Sequence, residues 1–218
     1  YPNSNQKVIS SINLNFKVGQ TVALVGPSGA GKTTLIDLIS RLYFPTSGSI
    51  MIDGEDINKI SLNSYRKNIT YLGQTPVVFD GSIKYNMKIL GKETSDEVLF
   101  EALKSVDLKK YVNSLEKKLN TIIGATGLKM SGGQLQRFVI ACMFLRQSCI
   151  CIMDEPTSSL DHSNELKVIN LMKTNTLKKS LITIVISHNW NVVSKLDRMI
   201  KLKKGKIVFD GKPSKKFF

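Results

Sequence analysis

Gly26-Pro27-Ser28-Gly29-Ala30-Gly31-Lys32-Thr33 decides how this chain folds. The octet is a full match to the phosphate-binding pattern GxxxxGK[ST]. Its glycines let the backbone curl so that N–H groups point inward at a phosphate. A helix starting there adds its positive end. Lys32 can then reach β- and γ-phosphates, and Thr33 can offer a hydroxyl to Mg2+. Gly26, Ser28, Gly29, Ala30, Gly31, Lys32, Thr33 and Thr34 are therefore the candidate nucleotide-binding residues.

The flanks support that reading. Residues 21–25 form a short apolar strand before the loop, and Leu35, Ile36, Leu38, Ile39 and Leu42 make one helical face after it. Upstream, Val8, Ile12, Leu14 and Phe16 partly alternate, which predicts a strand-rich segment over 8–18. Strands are expected near 50–52, 69–72, 149–153, 181–186, 199–202 and 206–209. Residues 95–106 read as a helix, as do 134–145, where Leu135, Phe138, Val139, Cys142 and Leu145 fall at helical spacing. Strands alternating with helices predict an α/β core with a mainly parallel sheet. Residues 76–145 read as an inserted helical subdomain. The expectation is one domain over 1–218, with 1–75 and 146–218 forming the core and an N-terminal antiparallel β subdomain.

Two further stretches carry chemistry. The run 149–153 is apolar and ends in Asp154-Glu155-Pro156. Asp154 at a strand end can hold Mg2+. The adjacent Glu155 carboxylate can take a proton from an attacking water. Met130-Ser131-Gly132-Gly133-Gln134 opens an amphipathic helix, with Ser131 placed as its N-cap. A hydroxyl, backbone N–H groups and a helix N-terminus suit a polyphosphate.

In that order, phosphate loop, SGGQ, then an apolar strand ending in DEP, the chain resembles the ABC ATPases from Tyr1 nearly to its end. The resemblance implies a P-loop NTPase fold, ATP and Mg2+ as ligands, and ATP hydrolysis between two head-to-tail copies. Ser131, Gly132, Gly133, Gln134 and Asp161 would then act on the second copy's ATP. Gln74, within Gly73-Gln74-Thr75, resembles the family's glutamine that senses Mg2+ and water. Ser158-Ser159-Leu160-Asp161 resembles the loop across the dimer interface. His188 resembles the histidine contacting the γ-phosphate; it also follows an apolar strand, at the edge where ligands bind in such sheets. Tyr1 resembles the aromatic that stacks on adenine, a role its ring face suits. Catalysis would rest on Glu155, His188, Gln74 and Lys32, and the metal on Thr33, Gln74 and Asp154.

The stretches Val77-Val78-Phe79-Asp80-Gly81-Ser82-Ile83 and Thr121-Ile122-Ile123-Gly124-Ala125-Thr126-Gly127 resemble exporters, with Ala125 where the family carries Glu. Met130 and Ser159 are smaller departures. The implied partners are a second copy and a transmembrane domain in the same native polypeptide. The implied location is the cytoplasmic face of the membrane, this fragment alone being soluble. A bacterial peptide exporter is the favoured kind. Alternatives are a soluble ATPase acting on nucleic acid or ribosomes and a separate importer subunit.

Composition fits this picture. No apolar run approaches the ~20 residues a membrane helix needs. The chain starts at Tyr1 rather than Met, as an excised piece would. The net charge of +14 is carried mostly by lysines, scattered along the chain apart from a cluster near its C-terminus (Lys201, Lys203, Lys204, Lys206, Lys212, Lys215, Lys216), so nucleic acid is not the expected partner. Cys142, Cys149 and Cys151 are odd in number, which argues against a disulfide framework. Cys149 and Cys151, two apart in a strand-like run, read as small buried hydrophobes. His162 has no assigned role.

Overall fold

The computed structural model describes residues 1–218 apart from Asn3 and Asn5. The first strand, β1 (Thr21–Val25), has all five residues buried, and α1 (Lys32–Ile39) follows the loop. β2 (Met51–Ile52) and β3 (Glu55–Asp56) pair antiparallel. Asp53 (φ 50) and Gly54 (φ 83) turn the chain between them, the left-handed pair that a two-residue hairpin requires. Next come α2 (Leu62–Lys67), β4 (Ile69–Leu72), β5 (Gly81–Ser82) and α3 (Ile83–Leu90). These lead to α4 (Asp96–Ser105), α5 (Lys109–Ser114), β6 (Ile122–Ile123) and α6 (Gly132–Leu145). The chain continues through β7 (Ile150–Asp154), α7 (His162–Lys178), β8 (Ile182–Ile186) and α8 (Trp190–Val193), and closes with β9 (Arg198–Lys203) and β10 (Lys206–Gly211).

One six-stranded sheet runs in the order β10-β9-β1-β8-β7-β4. β1 is parallel to β8 and to β9, with Leu24 opposite both Ile186 and Ile200, while β10 is antiparallel to β9. At its start β1 is pinned by Asp197, whose Oδ2 accepts from the backbone N–H of Thr21 (2.9 Å) and from its hydroxyl (2.6 Å).

The chain divides into two compact units. The first holds residues 1–71, 148–152 and 176–218; the second holds 72–147 and 153–175. In the first unit, Val22 and Leu24 pack with Leu35 and Ile36 of α1 and with Ile152, Ile184, Ile186 and Ile200. Each such side chain contributes about 1.5–3 kcal/mol when fully buried. In the second unit α3 and α4 both lie against α6, and Met87, Leu99, Leu103, Val112 and Phe138 are wholly buried. Asn86, also fully buried, holds the segment before β5. Its Oδ1 accepts from the Phe79 N–H (2.8 Å) and its Nδ2 donates to the Phe79 and Ser82 carbonyls (3.0 and 3.1 Å).

Three details differ from the sequence expectation. Residues 8–18 form no strand; Ile12, Leu14 and Phe16 do turn alternately onto the core, so the alternation reports burial without a hydrogen-bonded ladder. The helix after the loop stops at Ile39. Arg41 is left-handed (φ 52), and the N–H groups of Arg41 and Leu42 return to the carbonyls of Leu38 and Asp37. That is a Schellman closure, and it leaves Leu42 57% exposed. Cys149 lies one residue before β7 and is exposed, whereas Cys142 and Cys151 are buried.

Burial pushes the Cys142 thiol far up and the Cys151 thiol up to about 12. Under native conditions at neutral pH, iodoacetamide is expected to modify Cys149 alone, and all three after denaturation. Mass spectrometry of the intact chain counts the adducts. Ile152→Ala, in the core of the first unit, is expected to cost about 2–5 kcal/mol of unfolding free energy, against about 0.5 kcal/mol or less for Val18→Ala at the surface, measured by denaturant titration.

Candidate phosphate-binding and hydrolytic site

In the first unit the phosphate loop leaves the buried end of β1. Lys32 folds back over it, its Nζ donating to the carbonyls of Gly26 (2.6 Å) and Pro27 (3.0 Å). The Ala30 N–H returns to the Pro27 carbonyl at 3.1 Å. Gly31 is the N-cap of α1 at φ 99, and a Cβ there would stand 2.6 Å from Cγ2 of Ile9; only glycine satisfies both conditions. The first turn of α1 has no acidic residue, so its positive end and the Lys32 ammonium are not offset by a carboxylate in that turn. Pro27, Ser28, Gly29 and Thr33 are exposed. This is a cationic cradle open to an anion.

Tyr1 lies beside the same helix. Its hydroxyl shares a 2.6 Å hydrogen bond with the Thr34 hydroxyl, and its ring meets Tyr43 edge-on at 5.0 Å between centroids. The ring is 48% exposed. Burial raises the Asp37 carboxyl above its ordinary range, with the Tyr1 hydroxyl pulling the other way. His188 belongs to this unit too. Leu24 and Ile186 pair in the parallel ladder, so Gly26 and His188, each two residues further on, leave the same edge of neighbouring strands about 4.8 Å apart. His188 is exposed and the preceding Ser187 is buried.

The remaining predicted residues belong to the second unit. Asp154 is the last residue of β7 and half-buried. Glu155 follows in the left-handed region at φ 49, which costs a non-glycine residue about 1–3 kcal/mol and needs support from its surroundings. The support is visible: its carbonyl accepts from the Ser158 N–H (3.2 Å) and from Nε2 of Gln136 (2.9 Å).

Ser131 caps α6 in a reciprocal box. Its Oγ accepts from the Gln134 N–H (3.3 Å), and Oε1 of Gln134 accepts from the Ser131 N–H (2.9 Å). Gly133 lies against the turn after β7, where an added Cβ would come within 2.9 Å of the Ser159 carbonyl. Asp161 accepts at Oδ1 from the Asn164 N–H (3.0 Å) and at Oδ2 from its amide (2.6 Å); the backbone bond leads in lowering its carboxyl. Gln74 is exposed, two residues beyond β4.

Sequence reasoning missed Gln136. It is 2% exposed and lies on the helix face that also carries the buried Val139, Ile140 and Met143. The legible signal was an amide at an apolar-face position, because a buried amide must find partners.

Ser131→Ala removes one half of the capping box, and is expected to cost about 1 kcal/mol of stability. Thermal denaturation compared with Ser131→Thr, which keeps an accepting oxygen, measures it.

The ABC transporter family model matches residues 9–158. The ATP-dependent lipid A-core flippase of Bordetella avium is 39% identical over 213 residues, 97% of this chain and 36% of that protein. An uncharacterized ABC transporter ATP-binding protein of Sinorhizobium fredii is 36% identical over 208 residues, 95% of this chain and 35% of that protein. A solved bacterial Atm1-family ABC exporter with ATP bound superposes with a TM-score of 0.89 at 30% identity, covering 97% of this chain and 37% of that one. The chain thus spans little more than a third of the length of each of these proteins. With the phosphate loop and the SGGQ helix in place, the match over most of its length makes this chain an ATP-binding domain of the ABC transporter family.

Proposed function

We propose that residues 1–218 act as one nucleotide-binding domain that hydrolyses ATP to power export across a membrane. Its P-loop core would lie in about 1–75 and 146–218, and its helical subdomain in about 76–145. The observation that carries the reading is Glu155, held left-handed directly after Asp154 at the end of a buried strand. The same chain presents Lys32 on a glycine loop. The chain thus carries both a proton acceptor and a phosphate cradle.

In this reading Lys32 and the N–H groups of 28–34 bind the triphosphate, with Gly26 shaping the turn and Tyr1 against adenine. Asp154, Thr33 and Gln74 offer hard oxygen donors of the kind Mg2+ prefers. Mg2+, when bound there, would draw charge from the β- and γ-phosphate oxygens. Glu155 accepts the proton of the attacking water, while His188 and Gln74 orient the γ-phosphate and that water. Ser131, Gly132, Gly133, Gln134 and Asp161 close over the ATP of a second, head-to-tail copy. Losing the γ-phosphate removes that closure and the pair opens.

Export through a membrane-spanning partner is supported by relatives named as a lipid A-core flippase and a β-(1→2)-glucan exporter. Among the described residues no helix is long and apolar enough to cross a membrane. The spanning part would therefore lie elsewhere in the native polypeptide, with this domain at the cytoplasmic face. Lipid and glycan cargoes stand beside the peptide cargo favoured from sequence.

Glu155→Gln is expected to keep ATP affinity within about twofold. Turnover should fall about 100-fold or more, the usual reach of a general base, and the protein should remain an ATP-stabilised dimer. Phosphate release and size-exclusion chromatography with ATP measure these. Hydrolysis at the wild-type rate would remove Glu155 from the chemistry.

A further inference from the structure

We infer that Gln136 is a positioning residue that ties this chain's own base to the surface it offers a second copy. The inference rests on the reading above: Glu155 serves the ATP in this chain's loop, while Ser131, Gly132, Gly133 and Asp161 serve the other. Gln136 is in the second turn of α6, the helix whose tip is the SGGQ stretch. Its amide is buried and both ends are used. Nε2 donates to the Glu155 carbonyl at 2.9 Å and to the Ser158 hydroxyl at 3.4 Å, and Oε1 accepts from the Ser159 N–H at 3.1 Å.

Three consequences follow from that geometry. The Glu155 carbonyl, held by Gln136 and by the Ser158 N–H, fixes the peptide plane that follows a left-handed residue, and so fixes the Cα–Cβ direction from which the Glu155 side chain starts. The turn 158–161, which leads to Asp161, is attached to the same amide through Ser159. Because the amide grows from α6, a displacement of the SGGQ tip carries the Glu155 turn with it. One amide therefore links the half-site used in this chain to the half-site used by its partner. A neutral group that donates and accepts from two atoms on one terminal carbon is required, which at neutral pH means Asn or Gln, and only the longer one matches the present reach.

The test uses the intact protein with Gln136→Met, which conserves length and removes both hydrogen bonds. Gln136→Glu keeps an oxygen for the Ser159 N–H and removes the donor to Glu155. The expected result is a fall in kcat of tenfold or more for both, with the KM for ATP and MgADP affinity within twofold of wild type. In a Glu155→Gln background, adding Gln136→Met should abolish the ATP-trapped dimer, and adding Gln136→Glu should preserve it. Should the methionine variant not fold, the glutamate variant decides alone by its kcat. A kcat within twofold of wild type overturns the inference, as does a loss confined to nucleotide affinity or melting temperature. If Glu155→Gln by itself traps no dimer, the proposed function fails instead, and the kcat of the Gln136 variants still reports on the positioning role.

Discussion

Everything chemical in the first unit depends on β1 having no free edge. It is buried along its whole length and hydrogen-bonded in parallel on both sides. A strand so placed cannot slide, since a one-residue slip would turn its core face outward. Asp197 adds a stop at the other end by holding both donors of Thr21. The loop after Val25 therefore starts from a fixed point, and Lys32 can be held by the loop's own carbonyls rather than by a distant partner. His188 inherits its place from the same ladder.

The second unit solves positioning differently. Its key turns are held by side-chain amides and a guanidinium aimed at backbone atoms. Asn86 grips the backbone of Phe79. Arg137 donates to the carbonyls of Val106 and Asp107, just past the end of α4. Gln136 reaches the Glu155 and Ser159 backbone. Each replaces the water that a buried carbonyl or N–H would otherwise lose. Such a frame offsets the cost of holding Glu155 in the left-handed region, so the strain at Glu155 and the buried amide beside it belong together.

Much of this was legible in the residues, and the misses have physical reasons. The helix expected over 95–106 is α4, with Ser95 and Val106 as its flanking residues, because its period and its N-terminal acids agree. Ser131 is the N-cap expected of it, since capping is a contact within four residues. Residues 8–18 have the burial rhythm of a strand but no ladder, because pairing needs a neighbour that the segment cannot specify alone. Leu42 continued the apolar spacing of α1, yet a Schellman turn through Arg41, with no glycine to announce it, ended the helix first. Cys149 looked like part of a buried strand and stands just outside it, since strand ends depend on what the neighbouring chain covers.

By itself the sequence determined the elements that rest on local rules: the glycine loop and the helix it opens, the capped SGGQ helix, and the apolar strands. Each follows from backbone sterics, capping or period over a few residues. Only the tertiary structure decided which strands flank β1, and that Gly26 and His188 leave one edge. It also decided that Glu155 is left-handed and that Gln136 supports it. Those outcomes depend mainly on hydrogen bonds between residues from 19 to more than a hundred positions apart, and no local preference encodes a partner at that distance.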